Sequence, residues 1–291
     1  MHTVASTRTR MIEELGRAGV ESPALTADLL IGFALGWSRE RVLAHPEQGL
    51  DREARELVAG LAARRAGGEP LQYLTGEREF YGRSFRVTPD VLIPRPETEI
   101  LVEEALGRMR ALGRPGFRYA DIGTGSGCIA LSVACDFPQA CGYGVDVSPA
   151  ALRVARENGR RLGADGRVLW VAADLLECFP ERGSLDFILS NPPYVAIGDY
   201  HDLPREVRDF EPRTALCAGG DGLEVYRRLI PAGAARLVPG GMLLLEVGRG
   251  QAGPVVRLIE AAGLQPETVV DDLQGIARVV IAAKPVRRSD G

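Results

Sequence analysis

Cysteine, histidine and lysine are scarce in this chain of 291 residues. Its five cysteines include no C-x-x-C pair, and its three histidines are too few to give the usual spacing of metal ligands. We therefore expect buried, reduced thiols and no metal site. Lys284 is the single lysine, and the net charge is -4. The basic excess of a nucleic-acid groove is missing, which argues against direct binding of nucleic acid.

Long apolar runs are also missing. No stretch approaches the length of uninterrupted apolar sequence that a membrane helix needs, and the first residues, MHTVASTRTR, lack the apolar region of a signal peptide. Apolar residues make up 45% of the chain and charged residues 25%, as in an ordinary globular protein. We expect a cytoplasmic enzyme or binding protein, monomeric and without contact to a membrane.

The first part of the chain, residues 1–68, predicts a small helical bundle. Ser22 followed by Pro23 is typical of a helix start, and Asp51 can cap a second helix. In the first of these helices, apolar side chains recur at helical spacing at Leu25, Leu29, Leu30 and Phe33. Residues 69–96 combine aromatic and β-branched residues with Gly and Pro, which predicts a hairpin-like connector.

Residues 97–291 alternate between strand and helix signals. Apolar segments typical of strands lie at 118–122, 142–147, 168–172, 185–189, 242–247 and 277–283. Helical patterns lie between most of them, at 128–135, 149–162, 223–237 and 253–262. This alternation predicts an α/β domain with a mostly parallel sheet covered on both faces. Ligands of such sheets bind at the carboxyl ends of the strands, so the loops there are expected to carry the chemistry.

The loop after the first of these strands reads DIGTGSG, from Asp121 to Gly127. Its glycines let the backbone turn sharply and approach a ligand, and the helix that follows presents free N–H groups. A dinucleotide fingerprint would need glycine where Cys128 stands, which disfavours an NAD enzyme. The G-x-G-x-G form with a preceding acid resembles the S-adenosylmethionine loop of class I methyltransferases. A glycine turn that only packs the helix against the strand is the alternative.

Acidic residues follow the next two strands. Asp146 lies 23 residues after Gly123, the separation that places an acid beside the glycine loop, where a carboxylate can accept hydrogen bonds from both ribose hydroxyls. A carboxylate that only interacts with the dipole of the next helix is the alternative. Asp174 can accept from an exocyclic adenine amine, with Leu175 as an apolar contact for the ring. Three successive strand ends thus carry the parts of an adenosyl site.

The fourth strand end reads SNPPYV, with consecutive prolines at 192 and 193. Methyl transfer from a sulfonium is an in-line displacement in which positioning supplies most of the catalysis. The side-chain oxygen of Asn191 and the carbonyl of Pro192 can hold both N–H groups of a planar amide or amine and favour the more tetrahedral nitrogen of the transition state. Tyr194 would close a flat slot. A strand that merely ends at a proline turn is the alternative.

The combination of GTGSG, VDVS and NPPY resembles the amino-methyltransferases that modify exocyclic or amide nitrogen. Three more stretches, EPLQYLTGEREFYG, VLIPRPETE and EPRTALCAGGDGLEVYRRLI, resemble the HemK/PrmC family of release-factor glutamine N5-methyltransferases. The resemblance implies a class I methyltransferase fold, a Rossmann-like and mostly parallel seven-stranded sheet with a small N-terminal helical bundle. It also implies transfer of a methyl group from S-adenosyl-L-methionine to the glutamine of the GGQ motif in peptide chain release factors.

The resemblance assigns roles residue by residue. In the domain organisation that it implies, residues 1–68 recognise the release factor and residues 97–291 form the methyltransferase domain. From the strand-end loops and the resemblance together, the residues expected at the cofactor are Asp121, Gly123, Thr124, Gly125, Ser126, Gly127, Asp146, Asp174, Leu175 and Asn191. Those expected at the glutamine are Asn191, Pro192, Pro193 and Tyr194, of which Asn191, Pro192 and Tyr194 are assigned catalytic roles. Ser126 replaces a frequent threonine, and Leu175 stands where some relatives have an aromatic residue.

Two other functions use the same fold and motif. A ribosomal-protein glutamine methyltransferase differs in its N-terminal part and its substrate. A nucleic-acid adenine N6-methyltransferase also needs a slot for a planar nitrogen, but the near-neutral charge and the lack of a basic, aromatic recognition region disfavour it.

Overall fold

The computed structural model describes residues 2–114 and 116–286 as two compact units. The N-terminal unit comprises the chain up to Glu77 together with Pro204–Phe210, and the C-terminal unit comprises Arg78–Leu203 and the chain from Glu211 onward. Among the helices of the described residues, none is both long and apolar enough to span a membrane.

The N-terminal unit is helical. Its helices are α1 (Val4–Arg17), α2 (Pro23–Leu35), α3 (Arg39–Ala44), α4 (Arg52–Ala66) and α5 (Leu71–Thr75), joined from later in the chain by α9 (Arg205–Phe210). The Asp51 side chain accepts a hydrogen bond from the Ala54 N–H at 2.8 Å and so caps α4, as predicted. Ser22 precedes α2 but makes no capping bond, since its backbone is left-handed, with φ 49°.

The buried face of α2 differs from the predicted one. Leu30 is buried, but Leu25 and Phe33 are exposed, and the helix instead buries Ala27 and Ile31. Because α2 is apolar on almost every side, the spacing of its large residues could not identify the face that packs against α1 and α4.

The C-terminal unit is built on a seven-stranded sheet of order β5-β4-β3-β6-β7-β9-β8. Its strands are β3 (Arg118–Ile122), β4 (Cys141–Asp146), β5 (Val168–Ala172), β6 (Leu185–Ser190), β7 (Leu237–Glu246), β8 (Gln265–Asp271) and β9 (Ala277–Ala283). The first five are parallel, whereas β9 runs antiparallel to both β7 and β8. A separate two-stranded sheet pairs β1 (Glu77–Phe80) with β2 (Arg83–Arg86).

Helices cover this sheet over two apolar cores. They are α6 (Thr98–Ala111), α7 (Cys128–Asp136), α8 (Pro149–Arg161), α10 (Glu224–Arg236) and α11 (Ala252–Ala261), and short 3-10 turns lie at Ile197–Asp202 and Arg213–Ala215. The predicted α/β fold with an N-terminal helical bundle is confirmed.

Two strand predictions need correction. β8 was not predicted, because this edge strand alternates exposed and half-buried residues and contains Pro266. β7 begins at Leu237 rather than Met242, and its pairing with β6 shifts register across the Pro-Gly-Gly segment, which reads as a turn in the sequence.

The cysteines are all free in the described structure. Cys128 is buried, but Cys141 and Cys178 are exposed, so the expectation of buried thiols is wrong for these two. Cys141 opens β4, and Cys178 lies in the loop after β5, where the chain is at the surface. Within residues 2–114 and 116–286, no group of three or more His, Cys, Asp or Glu side chains is placed to hold a metal ion.

Candidate active site

The parallel register brings the predicted site residues to one edge of the sheet. Asp121 on β3 pairs with Gly144 on β4 and with Leu189 on β6, so the loops that follow these three strands are neighbours. Asp146 in turn pairs with Ala172 at the end of β5, two residues before Asp174. The glycine loop, both acids and SNPPYV therefore lie at the carboxyl ends of adjacent strands.

The three glycines of DIGTGSG serve different purposes. Gly123 and Gly125 have φ values of 73° and 53°, and a Cβ on Gly123 would meet no protein atom within 4 Å. Gly127, with φ 81°, is the N-cap of α7, and a Cβ there would lie 3.0 Å from the Trp170 ring. The first two glycines border open space that a ligand can fill, whereas the third is required by packing.

Asp121 lies beneath the glycine loop and is fully buried. Its Oδ2 accepts from the Thr124 hydroxyl at 2.6 Å and from the Ala130 N–H at 3.1 Å, which ties β3, the loop and α7 together. Loss of solvation raises the pKa of Asp121 to about 7, although these two hydrogen bonds lower it; the nearby Asp146 carboxylate raises it further. The Asp121 and Thr124 side chains thus shape the loop from below.

Two more polar side chains hold the loop. Asp146 accepts from the Gly125 N–H with Oδ2 and from the Ser148 N–H with Oδ1, each at 2.9 Å. Asn158, a buried residue of α8, donates to the Ser126 carbonyl at 2.9 Å. Ser126 is itself buried, so it presents backbone rather than its hydroxyl. Asn158 was missed in the sequence, where nothing distinguishes it from a surface helix residue.

The adenine-side candidates follow β5. The Asp174 carboxylate forms an ion pair with Arg228 at 2.5 Å through Oδ2. Leu175 is half-buried, packs against one of the two apolar cores and has a left-handed backbone, with φ 50°. A leucine in this conformation is strained, and such strain is concentrated at functional sites.

SNPPYV begins at the last residue of β6 and forms hydrogen bonds with residues far away in the sequence. Ser190 donates to the Ile122 carbonyl at 2.6 Å, and the Asn191 amide nitrogen donates to the Thr98 hydroxyl at 3.1 Å. The Tyr194 carbonyl accepts from the side-chain amide of Gln251 at 3.0 Å. The amide direction of Asn191 and the end of the motif are therefore both fixed from outside the motif.

The Tyr194 ring packs tightly against the backbone after β7. A Cβ on Gly248 would lie 2.9 Å from Tyr194 Cδ2, so only glycine fits there. Burial raises the pKa of the Tyr194 hydroxyl to about 12, with a further contribution from Glu246, so it stays neutral at physiological pH. This ring can serve as an uncharged wall of a slot for a planar group.

A later segment, residues 216–218, is hydrogen-bonded to Val195, which directly follows NPPY. Val195 forms a parallel bridge with Cys217, with the Val195 N–H donating to the Leu216 carbonyl at 2.9 Å and the Ala218 N–H donating to the Val195 carbonyl at 2.9 Å. Glu211, which precedes this segment in the chain, forms a salt bridge with Arg95 at 2.6 Å. The stretch EPRTALCAGG, distinctive in the sequence, thus has a structural role beside NPPY.

Thr98 and Glu246 are further site residues that the sequence did not reveal as functional. Thr98 opens α6, Glu246 ends β7, and both are buried. Burial raises the pKa of the Glu246 carboxyl to about 7, and the Thr98 hydroxyl lowers it. Their one signal is the position of Glu246 at the end of an apolar strand, where a buried carboxylate is uncommon.

Two other residue types that often take part in catalysis occur near these loops. His201 is exposed in the turn Ile197–Asp202. Cys128 is buried at the start of α7, and burial raises the pKa of its thiol to about 12, so it is a packing residue rather than a nucleophile.

Comparison with known families finds two matching regions in the chain. The model of the PrmC N-terminal domain matches residues 7–76, and that of the methyltransferase small domain matches residues 98–204.

Similar proteins cover nearly the whole chain. A release factor glutamine methyltransferase of Moorella thermoacetica is 45% identical over 93% of this chain and 95% of its own length. One of Cereibacter sphaeroides is 43% identical over 94% of this chain and 96% of its own length. Among solved structures, a 16S rRNA methyltransferase of T. Thermophilus in complex with AdoMet and guanosine has a TM-score of 0.53 at 21% identity, covering 72% of this chain and 49% of that one. This last likeness concerns the fold.

Proposed function

Since this chain belongs to the release factor glutamine methyltransferase family, we propose that it methylates the side-chain amide nitrogen of the GGQ glutamine in peptide chain release factors. The observation that carries this proposal is the Asn191 amide, whose nitrogen is already committed to Thr98, so that its oxygen is the atom left to accept from a substrate.

We propose S-adenosyl-L-methionine as the methyl donor. The residues fit it, since Gly123 and Gly125 border open space at the strand ends and Asp146 stands beside them. Gly123 and Gly125 would approach the cofactor through backbone, Asp146 would accept from the ribose hydroxyls, and Asp174 and Leu175 would flank the adenine. Asp121, Thr124, Ser126 and Gly127 would act by shaping the loop, because their side-chain positions are buried or packed. The cofactor, when bound, supplies an electrophilic methyl group on sulfur.

The loop Asn191–Tyr194, which we call the acceptor loop, would bind the glutamine amide that receives the methyl group. We propose that Asn191 Oδ1 and the Pro192 carbonyl each accept one N–H of the glutamine amide, which turns the nitrogen lone pair toward the methyl carbon. Pro193 keeps the loop rigid, and the neutral Tyr194 ring closes the slot. As the nitrogen–carbon bond forms, the sulfur–carbon bond breaks, and the nitrogen then releases one proton to solvent. These acceptors stabilise the positive nitrogen more strongly than the ground-state amide.

Each region of the chain has a role in the proposed function. Residues 1–68 would grip the release factor, residues 69–96 would connect, and residues 97–291 would carry the chemistry. The protein would work as a cytoplasmic monomer that binds protein rather than nucleic acid, in keeping with its net charge of -4.

The test is methylation in vitro. The purified protein is incubated with labelled S-adenosyl-L-methionine and, separately, with a release factor, ribosomal proteins and DNA, and products are mapped by mass spectrometry. We expect one methyl group on the GGQ glutamine. Label on a ribosomal-protein glutamine or on DNA adenine, with none on the release factor, would contradict the proposal.

A further inference from the structure

We propose that Thr98 and Glu246 are positioning residues that hold the Asn191 amide in its accepting orientation. This inference rests on the proposed function, because it concerns the acceptor for the substrate amide. Thr98 is the first residue of α6, Asn191 follows β6, and Glu246 ends β7. Parallel pairing of Ser190 with Leu245 places Asn191 and Glu246 at neighbouring strand ends, and Thr98 accepts a hydrogen bond from Asn191.

The direction of the hydrogen bonds determines which Asn191 atom faces the substrate. The Asn191 nitrogen donates to Thr98 Oγ1 at 3.1 Å, so that oxygen acts as acceptor. The Thr98 proton is then free for the buried Glu246 carboxylate at the neighbouring strand end, which can accept it. An ionised carboxylate only accepts, which prevents the hydroxyl from donating to Asn191 and so prevents the amide from turning over. The chain Asn191–Thr98–Glu246 thus leaves Asn191 Oδ1 as the free end.

Glu246 is buried among other charged and titratable groups. Glu97 and Arg278 face it, as do Arg95, Tyr194, Tyr226 and Cys128. Burial raises the pKa of Glu246 to about 7; the Thr98 hydrogen bond lowers it, Glu97 raises it, and the two arginines lower it. The carboxylate is therefore ionised above about pH 7 and becomes a hydrogen-bond donor below it. A protonated Glu246 can donate its own hydrogen bond to Thr98 Oγ1, in competition with the Asn191 amide nitrogen. The Thr98 hydroxyl proton can then turn toward Asn191.

The experiment compares Thr98→Val, which keeps the shape but removes the hydroxyl, with Thr98→Ser, which keeps it. Misplacing a catalytic group costs roughly 10- to 100-fold in rate, so Thr98→Val should lower kcat by about that factor with little change in KM for the release factor. Thr98→Ser keeps the hydroxyl, so its kcat should be close to that of the wild type. Thr268→Val on β8 is the matched control for a threonine outside the site, with kcat as in the wild type.

Glu246→Gln tests the direction of the bonds. Its side-chain oxygen can accept from Thr98 at every pH, so the kcat of this variant should not depend on the protonation of residue 246. Wild-type kcat should fall as pH decreases through about 7, and in this variant that fall should disappear. Cofactor affinity, measured by calorimetry, should be unchanged in all variants.

The two proposals fail in different ways. No glutamine methylation by the wild-type protein would overturn the proposed function. Methylation by the wild type with equal kcat in Thr98→Val, or an unchanged acid limb in Glu246→Gln, would overturn the positioning role. A loss of cofactor affinity that accounts for the whole loss in Thr98→Val would overturn it as well.

Discussion

The glycine loop, Asp121–Gly127, and the acceptor loop, Asn191–Tyr194, leave adjacent strands but are built differently. The glycine loop depends on left-handed backbone at Gly123, Gly125 and Gly127 and on carboxylates at the ends of the two strands beside it. In the acceptor loop no residue has a positive φ, and its orientation comes from side chains far away in the sequence. One loop presents backbone, and the other presents an aimed side chain and a carbonyl.

This difference predicts that damage to the two loops will be separable. A change in the glycine loop should alter cofactor affinity or stability, whereas a change in the acceptor loop should alter turnover. Three variants test that separation.

Asn191→Ala should have the largest effect. Removal of one preorganised acceptor from an active site costs about 100- to 1,000-fold in kcat. The glycine loop is untouched, so the dissociation constant for S-adenosyl-L-methionine should stay within about threefold, as measured by calorimetry. An equal loss of turnover and cofactor affinity would mean that the two loops are not separable.

Asp121→Asn tests the carboxylate beneath the glycine loop through stability. The pKa of Asp121 is raised to about 7, so the folded state binds its proton more tightly than the unfolded state, and this contribution to stability is lost as pH rises from about 4 to 7. Asparagine can keep its oxygen toward Thr124 and Ala130 but cannot titrate. Between pH 5 and 8 the unfolding free energy of the variant should therefore gain about 2–3 kcal/mol relative to wild type.

Chemical denaturation at both pH values measures this change. A constant difference between variant and wild type would show that Asp121 ionises in the same way in the folded and unfolded states.

Gly123→Ala should have the smallest effect. Alanine at φ 73° costs about 1–2 kcal/mol, and its methyl group points into the open space proposed for the cofactor. Cofactor affinity should fall about tenfold, while kcat at saturating cofactor changes little. Gly263→Ala is the matched control, since Gly263 has φ 76° and equal space around it but lies after α11. Equal cofactor affinity in both variants would contradict the assignment of Gly123.

The sequence predicted the fold well where local signals suffice. β3, β5 and β9 match their predicted limits because each is a short run of mostly apolar residues with clear ends. The exposed edge strand β8 has no such run, and the buried face of α2 is not distinguished by its composition. In both cases the outcome is decided by neighbouring elements rather than by the segment itself.

The same limit applies to the candidate site. Residues that touch one another locally, such as those of DIGTGSG, form a motif that can be recognised in one stretch. Thr98 and Glu246 come close only after α6 and β7 have packed around β6. Their separation in the sequence therefore could not predict that they lie together. Their roles and those of the predicted site residues remain predictions for the experiments above.

The path of the chain after the acceptor loop has a consequence for building hybrid proteins. Pro204–Phe210 belongs to the N-terminal unit, where Glu206 binds Arg65 at 2.9 Å, and the methyltransferase small domain match stops at residue 204. Exchanging the helical unit between two relatives by a single crossover near residue 77 would thus mix Arg65 from one parent with Glu206 from the other. A faithful exchange of the helical unit needs crossovers on both sides of Pro204–Phe210 as well, so this unit is inherited in two pieces.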